Sequence, residues 1–296
     1  MTGLAGVTVL LGVAHGSKDP ESQQGVRDLL ARAAALRPGL VAVDAYVDNA
    51  SPSIRARLQE LASSGVDDVV VLPLLLTPAS HSKTDVAASV RVGRTDHPGM
   101  RLRYGRPLGP HPVLVEVVAR RLREAGARDQ DPVLLVAGGA LDPDANAAVA
   151  STARLLFEGR PWPCVDIAFA STAQPPVTRA LERLRAQGAV RVSVARYFLG
   201  PGFLPRLVAR QAGAVQGLEV VVSEPLGATD ELAGLLLERL DEALGADVRM
   251  NCDACLYRIA LPGREASVGA PQEPHTHPDD EGPDDEGSDD EGPGEV

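Results

Sequence analysis

Val13-Ala14-His15-Gly16-Ser17-Lys18-Asp19-Pro20 returns 123 residues later as Val136-Ala137-Gly138-Gly139-Ala140-Leu141-Asp142-Pro143. The same displacement sets Pro52 on Pro175, Gly65 on Gly188, Pro78 on Pro201 and His81 on Leu204. Further along, Arg106-Pro107-Leu108-Gly109 matches Glu224-Pro225-Leu226-Gly227 at a displacement of 118, so a few residues are missing between the two anchors. One fold is written twice, and the second writing lacks both histidines. A two-lobed body with a single active site is the expectation.

Hydropathy within each copy alternates between strand and helix. Val7–Val13 is an apolar run of strand length, as expected for a strand buried on both faces. Gln23–Leu36 carries Val26, Leu29, Leu30, Ala33 and Leu36 at helical spacing. Leu40–Val47 is a second strand, and Ser53–Ser63 a helix closed by Gly65. Val69–Leu76 and Arg101–Tyr104 are further strands, followed by a helix over Val113–Glu124. The second copy supplies Val133–Ala137, Val165–Ala170, Val190–Tyr197 and Leu218–Val222. Such alternation predicts an α/β protein of two tandem doubly wound parallel-sheet domains with right-handed crossovers. The expected divisions are residues 1–128 carrying the active site, 129–246 a degenerate repeat, 247–271 a cysteine-containing extension and 272–296 an acidic tail.

Charge narrows the partners. Of 40 acidic residues, 11 lie between Gln272 and Val296, where there is no Lys or Arg; the other 29 balance the 29 basic residues. A neutral body carries no basic footprint for nucleic acid. No run approaches the ~20 apolar residues of a membrane span. The apolar N-terminus lacks a charged n-region and reads as a strand, so a cytoplasmic protein is expected. Neither G-x-x-x-x-G-K-[ST] nor a strand followed by G-x-G-x-x-G is present, so no nucleotide cofactor is expected. A nucleophile elbow and an H-E-x-x-H helix are absent too.

What remains is a small polar set at strand ends. His15 follows the first strand, Asp48 the second, and His81 comes a few residues after the third. Ligands of open parallel sheets bind beyond the carboxyl ends of the strands, so the three share one edge of one domain. Because the second copy keeps Asp142-Pro143 and Pro175 without either histidine, the fold itself does not require them. Two imidazoles and a carboxylate can hold a borderline divalent metal in an open site, or accept protons near neutral pH.

Ala14-His15-Gly16-Ser17-Lys18-Asp19-Pro20 and the segment Pro73–Asp85, P-L-L-L-T-P-A-S-H-S-K-T-D, resemble the two motifs of the class II, ATP-independent sirohydrochlorin chelatases. The likeness spans both halves, roughly Val7 to Leu244. It implies a tetrapyrrole between the lobes and insertion of Fe²⁺, placed ahead of Co²⁺, without ATP. His15 and His81 are then the metal-holding, proton-accepting pair, and Asp48 before Pro52 takes the place of the family's acidic residue, which is usually Glu. A non-catalytic metal or tetrapyrrole carrier is the alternative. Ser17 and Lys83 beside the histidines, with Arg91 and Arg94 behind them, are candidates for the substrate's peripheral carboxylates. Phe203 and Leu204, at the matching place in the second copy, read as an apolar wall or as core.

His97 sits in turn chemistry and reads as exposed, whereas His111 begins a helix. Met250-Asn251-Cys252-Asp253-Ala254-Cys255 matches the M-x-C-x-x-C segment of longer relatives associated with an iron–sulfur cluster. Two thiolates cannot complete a four-cysteine site. Cys164 as a third ligand, or a homodimer pairing two Cys252/Cys255 sets, would supply more, and a mononuclear metal or none is the alternative. The tail beyond, with His275 and His277, reads as disordered and solubilising, with weak metal storage as the sharper reading.

Overall fold

The computed structural model describes residues 6–78, 80–246 and 266. The first repeat runs β1 (Thr8–Ala14), α1 (Pro20–Leu36), β2 (Val41–Tyr46), α2 (Ile54–Ser63), β3 (Asp68–Pro73), α3 (Ser80–Lys83), α4 (Asp85–Asp96), β4 (Arg101–Tyr104) and α5 (Pro112–Glu124). The second runs β5 (Val133–Ala137), α6 (Pro143–Phe157), β6 (Val165–Phe169), α7 (Val177–Ala186), β7 (Arg191–Arg196), α8 (Phe203–Gly213), β8 (Glu219–Val222) and α9 (Asp230–Leu244). Each repeat forms a four-stranded sheet with parallel pairing throughout, ordered β2-β1-β3-β4 and β6-β5-β7-β8. The expected fold class is therefore present twice, with the same topology.

The strands are apolar on both faces because both faces are covered. In the first sheet, Leu10, Val70 and Leu72 join one cluster, and Val9, Leu11, Val69 and Val71 join another. Period-two alternation divides the second sheet likewise, Val133 and Leu135 against Leu134 and Val136. Gly12 is needed where α1 lies close on β1: a Cβ there would meet Leu30 Cδ2 at 2.7 Å.

Helix starts explain the boundaries that sequence reading misplaced. Asp19 accepts the Glu21 N–H and Pro20 takes the first helical position, so α1 begins three residues before Gln23. Asp142 and Pro143 open α6 in the same way. Strand β3 ends at Pro73 rather than Leu76, since the ladder's last rung there is Leu74 N–H to Val13 O, 2.7 Å. Helices α3 and α4 occupy residues that the hydropathy pattern left unassigned.

The last helix of each repeat crosses to the other lobe. α5 packs on α6 and β7, while α9 packs on α1, β3 and β4, and the two touch each other. One apolar cluster runs through both lobes, joining Leu10 and Leu72 to Leu235, Leu236 and Leu240, and Leu114 and Val118 to Leu135. Each exchanged helix carries an arginine that closes the loop after the final strand of the sheet it covers. Arg239 donates to Pro107 O (3.1 Å) and Leu108 O (3.2 Å). Arg121, its counterpart at the displacement of 118, donates to Leu226 O at 3.1 and 2.8 Å. Residues 125–132, which contain the expected division after residue 128, thus join two bodies that have traded helices. Among the described residues, no helix is long and apolar enough to cross a membrane.

Candidate functional site

In a sheet ordered β2-β1-β3-β4 the chain reverses direction between β1 and β3, and the crevice of an open α/β sheet lies at that switch point. The two loops leaving it are the His15 loop and the segment that ends in α3. His15 is exposed, with Nδ1 3.3 Å from Gly16 O. The parallel ladder runs one step past the strands, Val47 N–H to Ala14 O at 3.0 Å and Asp48 N–H to His15 O at 2.9 Å. Gly16 then turns at φ +99°, so close to the second loop that a Cβ would lie 1.6 Å from Asp48 O. His15 and Asp48 are thereby held side by side through the main chain.

The Asp48 carboxylate is organised locally: Oδ1 accepts the Asn49 N–H and Oδ2 the Asn49 side-chain amide, 2.7 Å each. Carboxylate oxygens retain further lone pairs, so this leaves capacity for a proton or a donor from the cleft. Ser17 has a structural task; its hydroxyl accepts the Asp19 N–H (3.1 Å) and its carbonyl the Gln23 amide (3.0 Å), folding the His15 loop onto α1.

His81 lies on α3, and its side chain falls outside the described residues. The helix is fastened by Tyr104, whose hydroxyl donates to Ser82 O and whose pKa is raised by burial. In the second lobe the two counterpart positions lie close together. A Cβ on Gly138, the counterpart of His15, would stand 3.5 Å from Leu204 Cδ1, the counterpart of His81, and 3.8 Å from Phe198. The turn is copied as well: Gly139 has φ +89° and Thr172 φ +58°, beside +99° at Gly16 and +56° at Asn49.

Lys83 is used differently from the role suggested by its sequence position. Its Nζ donates to Asp142 Oδ2 and Asp144 Oδ2, 2.8 Å each, across the seam between the lobes. Only 9% of the Lys83 side chain and none of Asp142 is exposed. Burial alone would push the ammonium down, but the two carboxylates more than offset this and its pKa is raised. A lysine so held ties the lobes together. Arg94 likewise donates to Leu102 O, at 3.1 and 2.7 Å. Arg91 is exposed on α4.

His111 caps α5, its Nδ1 accepting the Val113 N–H at 3.3 Å, and burial lowers its pKa. His97 is half-buried at the end of α4 rather than exposed, because the helix terminates on it. Cys164 is half-buried and its thiol is pushed up by burial and by Asp166, the reverse of what a thiolate ligand needs. Cys252, Cys255, His275 and His277 lie outside the described residues. Among the described residues no three His, Cys, Asp or Glu side chains gather around a metal-sized space. Sequence reasoning missed Arg206, which crosses the seam to Asp19 and, at 3.2 Å, to Glu21. The displacement of 123 places it on Lys83, and that was the available signal.

The family model described as CbiX matches this chain twice, over residues 9–125 and 132–243. The chain belongs to the CbiX family. A sirohydrochlorin cobaltochelatase of Priestia megaterium is 30% identical over 262 residues, covering 85% of each chain. A sirohydrochlorin ferrochelatase of Bacillus subtilis (strain 168) is 25% identical over 255 residues, 85% of this chain and 98% of that one. Among solved structures, SirB from Bacillus subtilis with Fe³⁺ superposes with a TM-score of 0.69 at 25% identity, covering 81% of this chain and 97% of SirB. Both CbiX matches coincide with the repeats read from the sequence.

Proposed function

We propose that this chain inserts a divalent metal, Fe²⁺ or Co²⁺, into sirohydrochlorin without ATP. The observation that carries the reading is the asymmetry of two otherwise equal switch points. One is flanked by the loops bearing His15 and His81, the other by Gly138 and Leu204, which meet. The tetrapyrrole is a dianionic ligand once two pyrrole N–H protons have gone, so each metal ion entering requires two protons to leave. His15 and His81 suit both tasks: a neutral imidazole holds a borderline metal weakly and accepts a proton near neutral pH. Asp48, tied to His15 through the main chain, orients an imidazole or passes its proton outward.

The metal is a substrate here, and similarity to both a cobaltochelatase and a ferrochelatase makes iron and cobalt the two arms of the test. Anaerobic absorbance of sirohydrochlorin with either ion should show turnover above the uncatalysed rate for the native protein and none for His15→Ala with an unchanged thermal midpoint. Retained turnover in that variant removes His15 from the mechanism. A bound but unmetallated spectrum with both ions identifies a carrier instead.

A further inference from the structure

The second lobe lacks the histidines and carries its own cation at the seam. Lys83 and Arg206 are counterparts, and so are their partners, Asp142 with Asp19 and Asp144 with Glu21. Each cation reaches the first turn of the opposite lobe's leading helix, so the ion pairs are related as the repeats are. Their exposure to water separates them. The Lys83 pair is enclosed, whereas Arg206 is 50% and Glu21 68% exposed, with Asp19 at 12% the covered partner. Breaking a buried pair strands its charges, while a wet one contributes little and exchanges readily.

The surroundings of Arg206 favour an anionic, flat ligand. Phe203, Arg206 and Arg210 follow one another at i, i+3 and i+7 on α8, and all three are exposed. The Arg210 guanidinium lies 5.8 Å from the centre of the Phe203 ring. The start of α8 abuts the start of α1: a Cβ on Gly202 would be 3.5 Å from Ser22, and one on Gly25 3.6 Å from Pro201. Asp19, which holds Arg206, is four residues beyond His15 on the same loop. Leu141, the counterpart of Lys18, is exposed on the loop leaving β5.

We propose that this face of α8 is the second lobe's reader of the tetrapyrrole: Phe203 covers the macrocycle, and Arg206 leaves Asp19 and Glu21 to take a peripheral carboxylate in a two-pronged hydrogen bond. The proposal rests on the chelatase reading and adds a specificity-determining residue to it. One carboxylate replaces another on the guanidinium, Asp19 keeps the Glu21 N–H at 3.0 Å, the Glu21 side chain passes to water, and the fork geometry suits Arg better than Lys.

Fluorescence titration of metal-free sirohydrochlorin onto the full chain, alongside steady-state kinetics, tests this. Arg206→Ala should raise Kd and KM for the tetrapyrrole about tenfold, with kcat and the KM for metal nearly unchanged. Arg206→Lys should recover part of the loss. Glu21→Gln, which removes a competitor for the guanidinium, should tighten binding. An unchanged Kd in Arg206→Ala, or a Glu21→Gln variant as weak as Arg206→Ala, overturns the proposal and leaves the chelatase reading standing. A native protein that does not bind the tetrapyrrole overturns both.

Discussion

Gly16 couples the backbone to the chemistry. Its positive φ and its closeness to Asp48 O set where His15 stands relative to the second loop. Gly139 makes the same turn in the second lobe, with a Cβ placed 2.2 Å from Ser171 O, but no imidazole depends on it. Alanine at either position should destabilise the protein by about 2 kcal/mol or more, since a left-handed backbone and a main-chain clash are both imposed. Only Gly16→Ala should also lower turnover at a temperature where both variants are folded. Equal activities in the two would disconnect the turn from the site. At this scale the sequence was readable wherever position along a strand decides geometry: His15 and Asp48 stand at the strand ends where the alternation pattern put them. Lys83 was not, because its neighbours in the chain say nothing of Asp142 and Asp144, 59 and 61 residues away.

The destination of helix α9 could not be read in advance, and its carboxylates give it an acid response. Its apolar spacing shows that one face is buried, but periodicity carries no information about which sheet receives it. The residues that choose are charged. Asp230 meets Arg32 at 2.6 Å, Asp241 meets Arg37 at 2.7 Å, Glu242 meets Arg106 at 2.6 Å and Glu231 meets Arg120, so the helix is fixed to α1, α5 and the loop after β4. Arg120 draws Glu231 down to about 2, and Arg37 and Arg106 lower Asp241 and Glu242. A depressed folded-state pKa contributes stability above the unfolded value, lost as pH falls through the folded one. The stability difference between the native protein and Glu231→Gln, present near neutrality, should therefore close as pH falls from 4.5 to about 2. Denaturant midpoints across that range measure it, and a gap that persists at the acid end assigns the pair no folding role. Helix α3 escaped notice for a different reason: it spans four residues, too short for any period to register.

For the whole molecule, the repeat announced two lobes of one fold, and the matched sheet orders agree with it. What the repeat could not announce is that neither linear half contains its own complete core. Leu232, Leu235, Leu236 and Leu240 of α9 sit in the cluster with Leu10 and Leu72, and Leu114 and Val118 of α5 sit with Leu135. Residues 1–128 and 129–246 produced separately should each lack a cooperative unfolding transition, and mixing them should restore one with a midpoint that rises with concentration. Cooperative unfolding of either half alone would show that the exchanged helices are dispensable. Their exchange also bears on why the halves can differ. Two free copies of such a repeat, each lending its last helix to the other, would carry every mutation in both places and would hold together only as their concentration allowed. A tether of a few residues keeps the partner always at hand and breaks that symmetry. One half can then carry the imidazoles while the other carries Gly138, Leu204 and Arg206. The covalent link is therefore what allows a doubled fold to be two different surfaces.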